Sequence, residues 1–273
     1  MIVACQGTSG AFSNLAANEL FPDARIAFYP SFQETLTAVS NDNADCAVVP
    51  VENSVAGRVM DIHNLLPHTH LYITGEHFLR IEQQLLGLPQ ASLSDIRIVL
   101  SHPQALSQCS RFLTTAGLTV KSVGNTALAA QTVAEKGDVS LAAIASKVAA
   151  QTFGLKILKH NIENDADNTT RFWILSKRPA PPPAGDNVIT SLIFFIPNVP
   201  AALYNALGAF AHHGVNLTRL ENYIDCKKRG SAAFFADIQA NPADAAFKEA
   251  FRELKEHTEK ISVLGVYPAS EKR

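Results

Sequence analysis

The sequence holds only four cysteines, Cys5, Cys46, Cys109 and Cys226, and no CxxC pair. Cysteines this scattered exclude a tight disulfide framework and a cysteine-based zinc cluster, and read as reduced thiols of a cytosolic protein. Cys5 and Cys46 sit in apolar runs and are expected to be core thiols. Excess charge is missing as well. The chain has 23 Lys and Arg against 25 Asp and Glu, a net charge of −2, so no global field draws it to nucleic acid or an anionic membrane. The only run of three basic residues, Lys227-Lys228-Arg229, reads as a solvated turn. No apolar stretch reaches the length of a membrane span. The start, Met1-Ile2-Val3-Ala4-Cys5-Gln6-Gly7, has no basic segment and too short an apolar one for an export signal. The chain is therefore expected in the cytoplasm, with neither nucleic acid nor membrane as a partner. Also absent are a repeat of fixed period, a P-loop and a dinucleotide fingerprint.

Apolar material is plentiful, at 47% of residues, enough for ordinary globular cores. Proline is concentrated in Arg178-Pro179-Ala180-Pro181-Pro182-Pro183-Ala184-Gly185-Asp186, which neither a helix interior nor a central strand accepts. This reads as an extended linker dividing 1–178 from 187–273. Before it, strands are expected over 2–5, 25–29, 47–51, 71–74, 96–100, 119–123, 141–144 and 169–175. Helices are expected over 12–20, 32–39, 57–66, 103–115 and 126–135. Ser31 and Glu34 have capping-box spacing, and Gly117 and Gly137 stop the last two helices. Repeated β-α units imply an α/β fold of mainly parallel sheets covered by helices. Two similar lobes are expected, roughly 1–76 plus 160–178 and 77–159, with a ligand cleft between them. From 187 onward the pattern reads β-α-β-β-α-β, the order of a ferredoxin-like sandwich.

Four loops follow predicted strands or lead into them. Gly7-Thr8-Ser9-Gly10-Ala11-Phe12-Ser13 opens a helix whose free N–H groups favour an anion. Val49-Pro50-Val51-Glu52-Asn53-Ser54-Val55-Ala56-Gly57 places a Glu-Asn-Ser cluster at a strand end, where a plain helix cap is the competing explanation. In Ser101-His102-Pro103-Gln104-Ala105-Leu106-Ser107-Gln108, Pro103 suits the first helical position and Gln104 and Gln108 share a helix face. In Asn168-Thr169-Thr170-Arg171-Phe172, an extended chain puts Thr170 and Phe172 on one face and Arg171 on the other.

Taken together, GTSGAFS, VPVENSVAG, SHPQALSQC, the Ala142–Ser146 segment AAIAS and NTTRF resemble the prephenate dehydratase family, in order and along the whole chain. The resemblance implies a catalytic unit of two lobes like type II periplasmic binding proteins, followed by an amino-acid-sensing ACT domain. It implies conversion of prephenate to phenylpyruvate, water and carbon dioxide, without cofactor or metal. By that resemblance the catalytic set is Thr170, Glu52, Asn53, Ser101 and Gln108, with Thr170 donating to the leaving hydroxyl. The substrate-binding set is Thr8, Ser9, Ser54, Gly57, His102, Arg171 and Phe172. A threonine hydroxyl is a poor acid, so Thr170 serves either as proton source or as hydrogen-bond donor.

The resemblance further implies L-phenylalanine as effector, held by Ala202, Leu203, Asn216, Leu217, Glu221 and Asn222, and a homo-oligomer, dimer or tetramer. Two family motifs depart from their pattern here. Ala201-Ala202-Leu203 stands for Gly-Ala-Leu, and Glu221-Asn222-Tyr223-Ile224 keeps only the glutamate of Glu-Ser-Arg-Pro. Arogenate, with an amino group for the keto group, is the alternative substrate. A solute-binding protein and a sensor with a decayed catalytic unit are the non-enzymatic alternatives. His63, His68 and His70, with Asp61 nearby, read as surface or capping histidines and not as a metal site. His212 and His213 are expected at a helix C-terminus.

Overall fold

The computed structural model describes residues 1–185, 187–223 and 231–273; Cys226 and the Lys227-Lys228-Arg229 turn lie outside the described residues. In chain order it forms β1 (Ile2–Gln6), α1 (Phe12–Leu20), β2 (Arg25–Tyr29), α2 (Phe32–Ser40), β3 (Cys46–Asn53), β4 (Gly57–Arg58), α3 (Met60–Leu65), β5 (Tyr72–Arg80) and β6 (Gln84–Gly87). There follow β7 (Ile98–Ser101), α4 (Pro103–Gln108), α5 (Ser110–Thr115), β8 (Thr119–Ser122), α6 (Thr126–Lys136), β9 (Leu141–Ala145), α7 (Lys147–Phe153), β10 (Lys156–Lys159) and β11 (Thr169–Ser176). The last series is β12 (Val188–Pro197), α8 (Ala202–His212), β13 (Asn216–Tyr223), β14 (Ser231–Gln239), α9 (Ala245–Glu256) and β15 (Lys260–Pro268). The class is α/β, as expected. Among the described residues no helix is long and apolar enough to cross a membrane.

Two compact units emerge. The first comprises Met1–Thr35, Val48–Val59 and Phe78–Phe172. The second comprises Leu36–Ala47, Met60–His77 and Trp173–Arg273, so the chain passes from one to the other inside α2, β3, β5 and β11 and also between Val59 and Met60.

The first unit contains a sheet of order β2-β1-β3-β11 and a second of order β10-β6-β9-β7-β8. Val3 pairs with Ile26 in the parallel β1–β2 ladder. In the second sheet β7 runs parallel to β8 and β9, while β6 is antiparallel to β9 and β10. Every residue of β9 is buried, as in a strand covered on both faces. Its Ile144 packs in one core with Leu85, Val99, Leu113, Val133 and Ala149. Helix α6 starts where Asn125 accepts from the Leu128 N–H at 2.7 Å and ends at Gly137.

The structure departs from the sequence expectations in several places. One helix was expected over 103–115, but Cys109 separates α4 from α5. Asn164 causes the break. Its amide donates to Ser107 O at 3.2 Å and to Ser110 Oγ at 2.9 Å, its Oδ1 accepts from Arg111 N, and its own N–H takes Gln108 O at 2.6 Å. A side chain wedged into the ladder ends a helix. The helix expected over 57–66 begins only at Met60, because Gly57 and Arg58 pair with Asn53 and Glu52 as a hairpin. Strands β6 and β10 and helix α7 carried too short a periodic signal to be read.

The second unit has strand order β13-β14-β12-β15-β5-β11. Its β12–α8–β13–β14–α9–β15 series realises the ferredoxin-like order. Leu192, Phe194 and Ile196 of β12 face Ala206 and Phe210 of α8 and Phe247, Ala250 and Leu254 of α9. Strand β15 reaches β5 at Gly265, opposite Ile73, where a Cβ would meet the Ile73 carbonyl oxygen at 2.0 Å. Only glycine lets the two backbones come that close. His63 is a core residue, edge-on to Trp173 at 5.2 Å and to Phe235 at 5.6 Å. His212 and His213 stand at the C-terminal end of α8, as expected, and both also meet Glu253, at 2.8 and 2.9 Å, and hold its carboxyl below the usual range. Cys46 is buried, and burial, then Asp45, pushes its thiol up to about 12; Cys5, in the first unit, is buried as well.

The second unit also carries an ion cluster. Arg273 reaches both oxygens of Glu76 at 3.0 and 3.1 Å, Asp237 Oδ2 at 2.8 Å and Thr218 Oγ1 at 2.8 Å. The side chains of Glu76 and Asp237 are fully buried. Removing a guanidinium shared by two buried carboxylates leaves charge uncompensated. Arg273→Ala is expected to lower unfolding stability by about 3 kcal/mol, read from urea melts at neutral pH; a change within experimental error would show the cluster to be stabilised by its other partners.

Candidate active site

Within the first unit a cavity of about 270 Å³ is lined by Phe12, Ser13, Pro50, Asn53, Val59, Ile81, Gln83, His102, Gln104, Ala105, Gln108, Asn125, Thr126, Thr170 and Phe172. None of these is Asp, Glu, Lys or Arg. The first turns of α1 and α6 contribute Phe12, Ser13 and Thr126. The N-cap of α1 is Ala11, which has no side-chain acceptor, so first-turn amides of that helix keep their positive character for a ligand.

Asn53 closes β3. Its Oδ1 accepts from the backbone N–H groups of Val55 (3.2 Å) and Ala56 (2.8 Å), which is an Asx turn. That commits its Nδ2 to the other side, where it donates to Thr170 Oγ1 at 3.0 Å and Asn168 Oδ1 at 2.7 Å. Thr170 lies on β11, beside β3, and its hydroxyl oxygen is thus an acceptor for Asn53, with its own proton left to give. Gln108 ends α4. Its Oε1 accepts from Asn168 Nδ2 (3.2 Å) and Gln83 Nε2 (3.4 Å). His102 caps α4, Nδ1 accepting from Gln104 N at 3.2 Å.

The cavity therefore brings together Asn53, Gln108, Thr170, His102 and Phe172 from the residues singled out in the sequence. The strand alternation holds: Thr170 and Phe172 line the cavity, while Arg171 is buried with its guanidinium over the Phe78 ring, 5.8 Å from the centroid. Others stand apart from the lining. Ser101 is fully buried and donates to Ile144 O at 2.7 Å, tying β7 to β9. Glu52 sits opposite Arg58, and Gly57 opposite Asn53, in the β3–β4 hairpin. Ser54 joins β11 through Thr169, its N–H donating to Thr169 O and its Oγ accepting from Thr169 N. Thr8 and Ser9 form the turn ahead of α1, Thr8 O accepting from Ala11 N. In that turn Gly10, at φ +88°, leaves only 3.0 Å between an added Cβ and Ala149 Cα, and its carbonyl accepts from Ser146 Oγ at 2.7 Å. The GTSG and AAIAS segments are thus a latch between two parts of the unit. Ser13, Gln83, Asn125, Thr126 and Asn168 were missed; the loop after β8 could have been found, because ligands of α/β folds gather at the carboxyl ends of parallel strands.

In the second unit, Ala202 and Leu203 open α8, and Asn216, Leu217, Glu221 and Asn222 lie on β13. Ala202 alone of these lines a recess of about 250 Å³, with Pro197, Asn205 and Glu256 among its neighbours. Leu203 and Leu217 pack on the core, Asn216 donates to Gln239, and Glu221 is paired with Arg219. Ala201 holds φ +64°, a left-handed conformation that glycine adopts without strain.

The family model for prephenate dehydratase matches residues 3–180. The bifunctional N-acyl-homoserine lactone acylase/prephenate dehydratase of Komagataeibacter europaeus is 43% identical over 98% of this chain and 96% of its own. Arogenate dehydratase/prephenate dehydratase 1 of Arabidopsis thaliana, a chloroplastic protein, is 37% identical over 97% of this chain and 71% of its own. The solved prephenate dehydratase of Arthrobacter aurescens in complex with L-Phe is 27% identical and superposes with a TM-score of 0.92 over 100% of this chain and 92% of its own. With a matching family model over most of its length and relatives along nearly all of it, the chain belongs to the prephenate dehydratase family of carbon–oxygen lyases in aromatic amino acid biosynthesis.

Proposed function

We propose that the chain converts prephenate to phenylpyruvate, carbon dioxide and water in phenylalanine biosynthesis, using the cavity around Thr170. The observation that carries this reading is the Asn53–Thr170 hydrogen bond within a lining of apolar groups and polar side chains that include no Asp, Glu, Lys or Arg. Prephenate is a dianion whose ring becomes aromatic on losing the ring carboxylate and the 4-hydroxyl. The C–C bond to the carboxylate breaks, its electron pair moves through the ring, and the C–O bond breaks with one proton delivered to the departing oxygen. Thr170 is assigned as donor to that oxygen, more polarised for donation because it accepts from Asn53. Gln108 Nε2 and the amides opening α1 are assigned to the carboxylates. Stabilisation at the leaving oxygen grows as charge develops there, which is where catalysis requires it. The remaining family positions divide by geometry. Phe172 and His102 are assigned to the wall; Glu52, Ser54, Gly57, Ser101, Thr8, Ser9 and Arg171 are assigned to holding the loops that form it.

Arogenate is the alternative substrate, supported by the Arabidopsis relative's name. The acylase named for the Komagataeibacter relative stands behind both. His102 is the cavity's imidazole, its Nδ1 is occupied by the Gln104 N–H, and it makes no hydrogen bond to a hydroxyl among the described residues. An acyl-transfer nucleophile would want such a bond. We further propose a catalytic part over 1–178 and an ACT domain over 187–273 that senses L-phenylalanine in a homo-oligomer. The L-Phe complex of the Arthrobacter relative supports this.

Purified protein incubated in parallel with prephenate, arogenate and an N-acyl-homoserine lactone is expected to release phenylpyruvate from the first. Release of fatty acid alone would overturn the dehydratase reading. Thr170→Ala is expected to lower kcat by about 10²-fold or more with an unchanged fold, and Thr170→Ser to keep most of the rate; a normal kcat in Thr170→Ala would remove the residue from its role. L-Phenylalanine is expected to slow turnover and raise Tm; the absence of both heat on titration and a Tm shift would refute the sensing role.

A further inference from the structure

Asn168 is almost wholly buried and absent from the cavity lining, yet it joins the two amides that line it. Orientation passes along the connection in one direction. The Val55 and Ala56 N–H groups fix Asn53 Oδ1, so Asn53 Nδ2 faces Asn168 and Thr170. Asn168 must then turn its Oδ1 to Asn53 and its Nδ2 to Gln108. Gln108 in turn points its oxygen inward, where Gln83 Nε2 converges on the same atom. Its NH2 is the end that remains for a ligand. An amide side chain has no intrinsic preference between its two ends; only its partners choose.

We propose that Asn168 is a positioning residue that sets the polarity of Gln108, so that the cavity meets an anionic substrate with N–H donors and not with a carbonyl oxygen. This rests on the dehydratase reading only for the identity of the anion. Asn168→Asp separates the two functions of the residue. A carboxylate still accepts from Asn53 Nδ2, so Thr170 keeps its partner. It cannot donate to Gln108 Oε1, so Gln108 turns over, gives its NH2 to Asp and presents its oxygen to the substrate, and Gln83, whose Oε1 has no hydrogen-bond partner among the described residues, turns with it to accept from Gln108. Asn168→Leu removes both connections.

The test is steady-state turnover of prephenate by the full chain and its variants, with circular dichroism confirming the fold. Asn168→Asp is expected to raise KM about tenfold or more, the worth of a hydrogen bond to a charged group, with kcat nearly unchanged. Asn168→Leu is expected to raise KM and lower kcat together. In a Gln108→Ala background the KM effect of Asn168→Asp should vanish, because the group it reorients is gone. A KM within twofold of wild type, or an equal rise with and without Gln108, overturns the proposal; the latter would mean simple charge repulsion. A second readout needs no turnover. The Gln108 side-chain amide signal in nitrogen-15 NMR spectra, identified by its loss in Gln108→Ala, should move downfield in Asn168→Asp, and an unmoved signal also overturns the proposal. A wild-type chain inert toward prephenate would sink the dehydratase reading instead, and the NMR comparison would still decide the role of Asn168.

Discussion

Two backbone N–H groups, those of Val55 and Ala56, hold one side-chain oxygen, and the chemistry of the cavity depends on that grip. A free asparagine could offer either end to its neighbours. Once Asn53 Oδ1 is held, its nitrogen has one direction to face, and Thr170 has a donor and not an acceptor beside its oxygen. The turn that provides the two N–H groups exists because Asn53 closes it, so the same residue shapes the loop and is oriented by it. The β3–β4 hairpin then adds Gly57 and Arg58 as a short second strand that keeps the turn in place.

The surrounding elements serve the same end by different means. Asn164 cuts a helix that would otherwise run on, so Gln108 becomes a terminal residue of α4, with its carbonyl taken by Asn164 N–H. Ser146 and Gly10 bring the loop before α1 against α7, and that contact positions an uncapped helix start at the cavity. The Ser146–Gly10 bond is buried, where an unpaired polar group would be costly, whereas the Asn164 bonds lie at the surface and act by geometry. The wall is thus made of dipoles with fixed directions, which need no reorganisation when a charge moves in front of them.

Much of this was legible from residues alone. The α/β class followed from alternating apolar runs and helical patterns, and Asn53, Gln108 and Thr170 were picked from loops at strand ends. The alternation of Thr170, Arg171 and Phe172 followed from the twofold period of a strand. What stayed hidden depends on residues distant in sequence. Asn164 breaks a helix 55 residues before it, and no local pattern between Pro103 and Thr115 announces a break at Cys109. Asn168 looked like a strand approach because its partners are 115 and 60 residues away. Ser101 was read as a ligand-facing hydroxyl, but a neighbouring strand carbonyl is a nearer acceptor. His63 gave no sign of its aromatic surroundings, which come from β11 and β14.

The absence of Lys and Arg from the lining, among the described residues, has a consequence for the end of the proposed catalytic cycle. For a family member acting on prephenate, each turnover replaces a doubly charged molecule by a singly charged one, a gas and water. A fixed cation would hold the remaining anion strongly in a medium of low permittivity. Oriented dipoles hold it through short-range contacts that lapse once the second carboxylate has gone. On the proposed reaction such a site would let go by itself: the bond that breaks would also remove much of what kept the molecule in place, and emptying the cavity would be part of the reaction and not a separate obstacle after it.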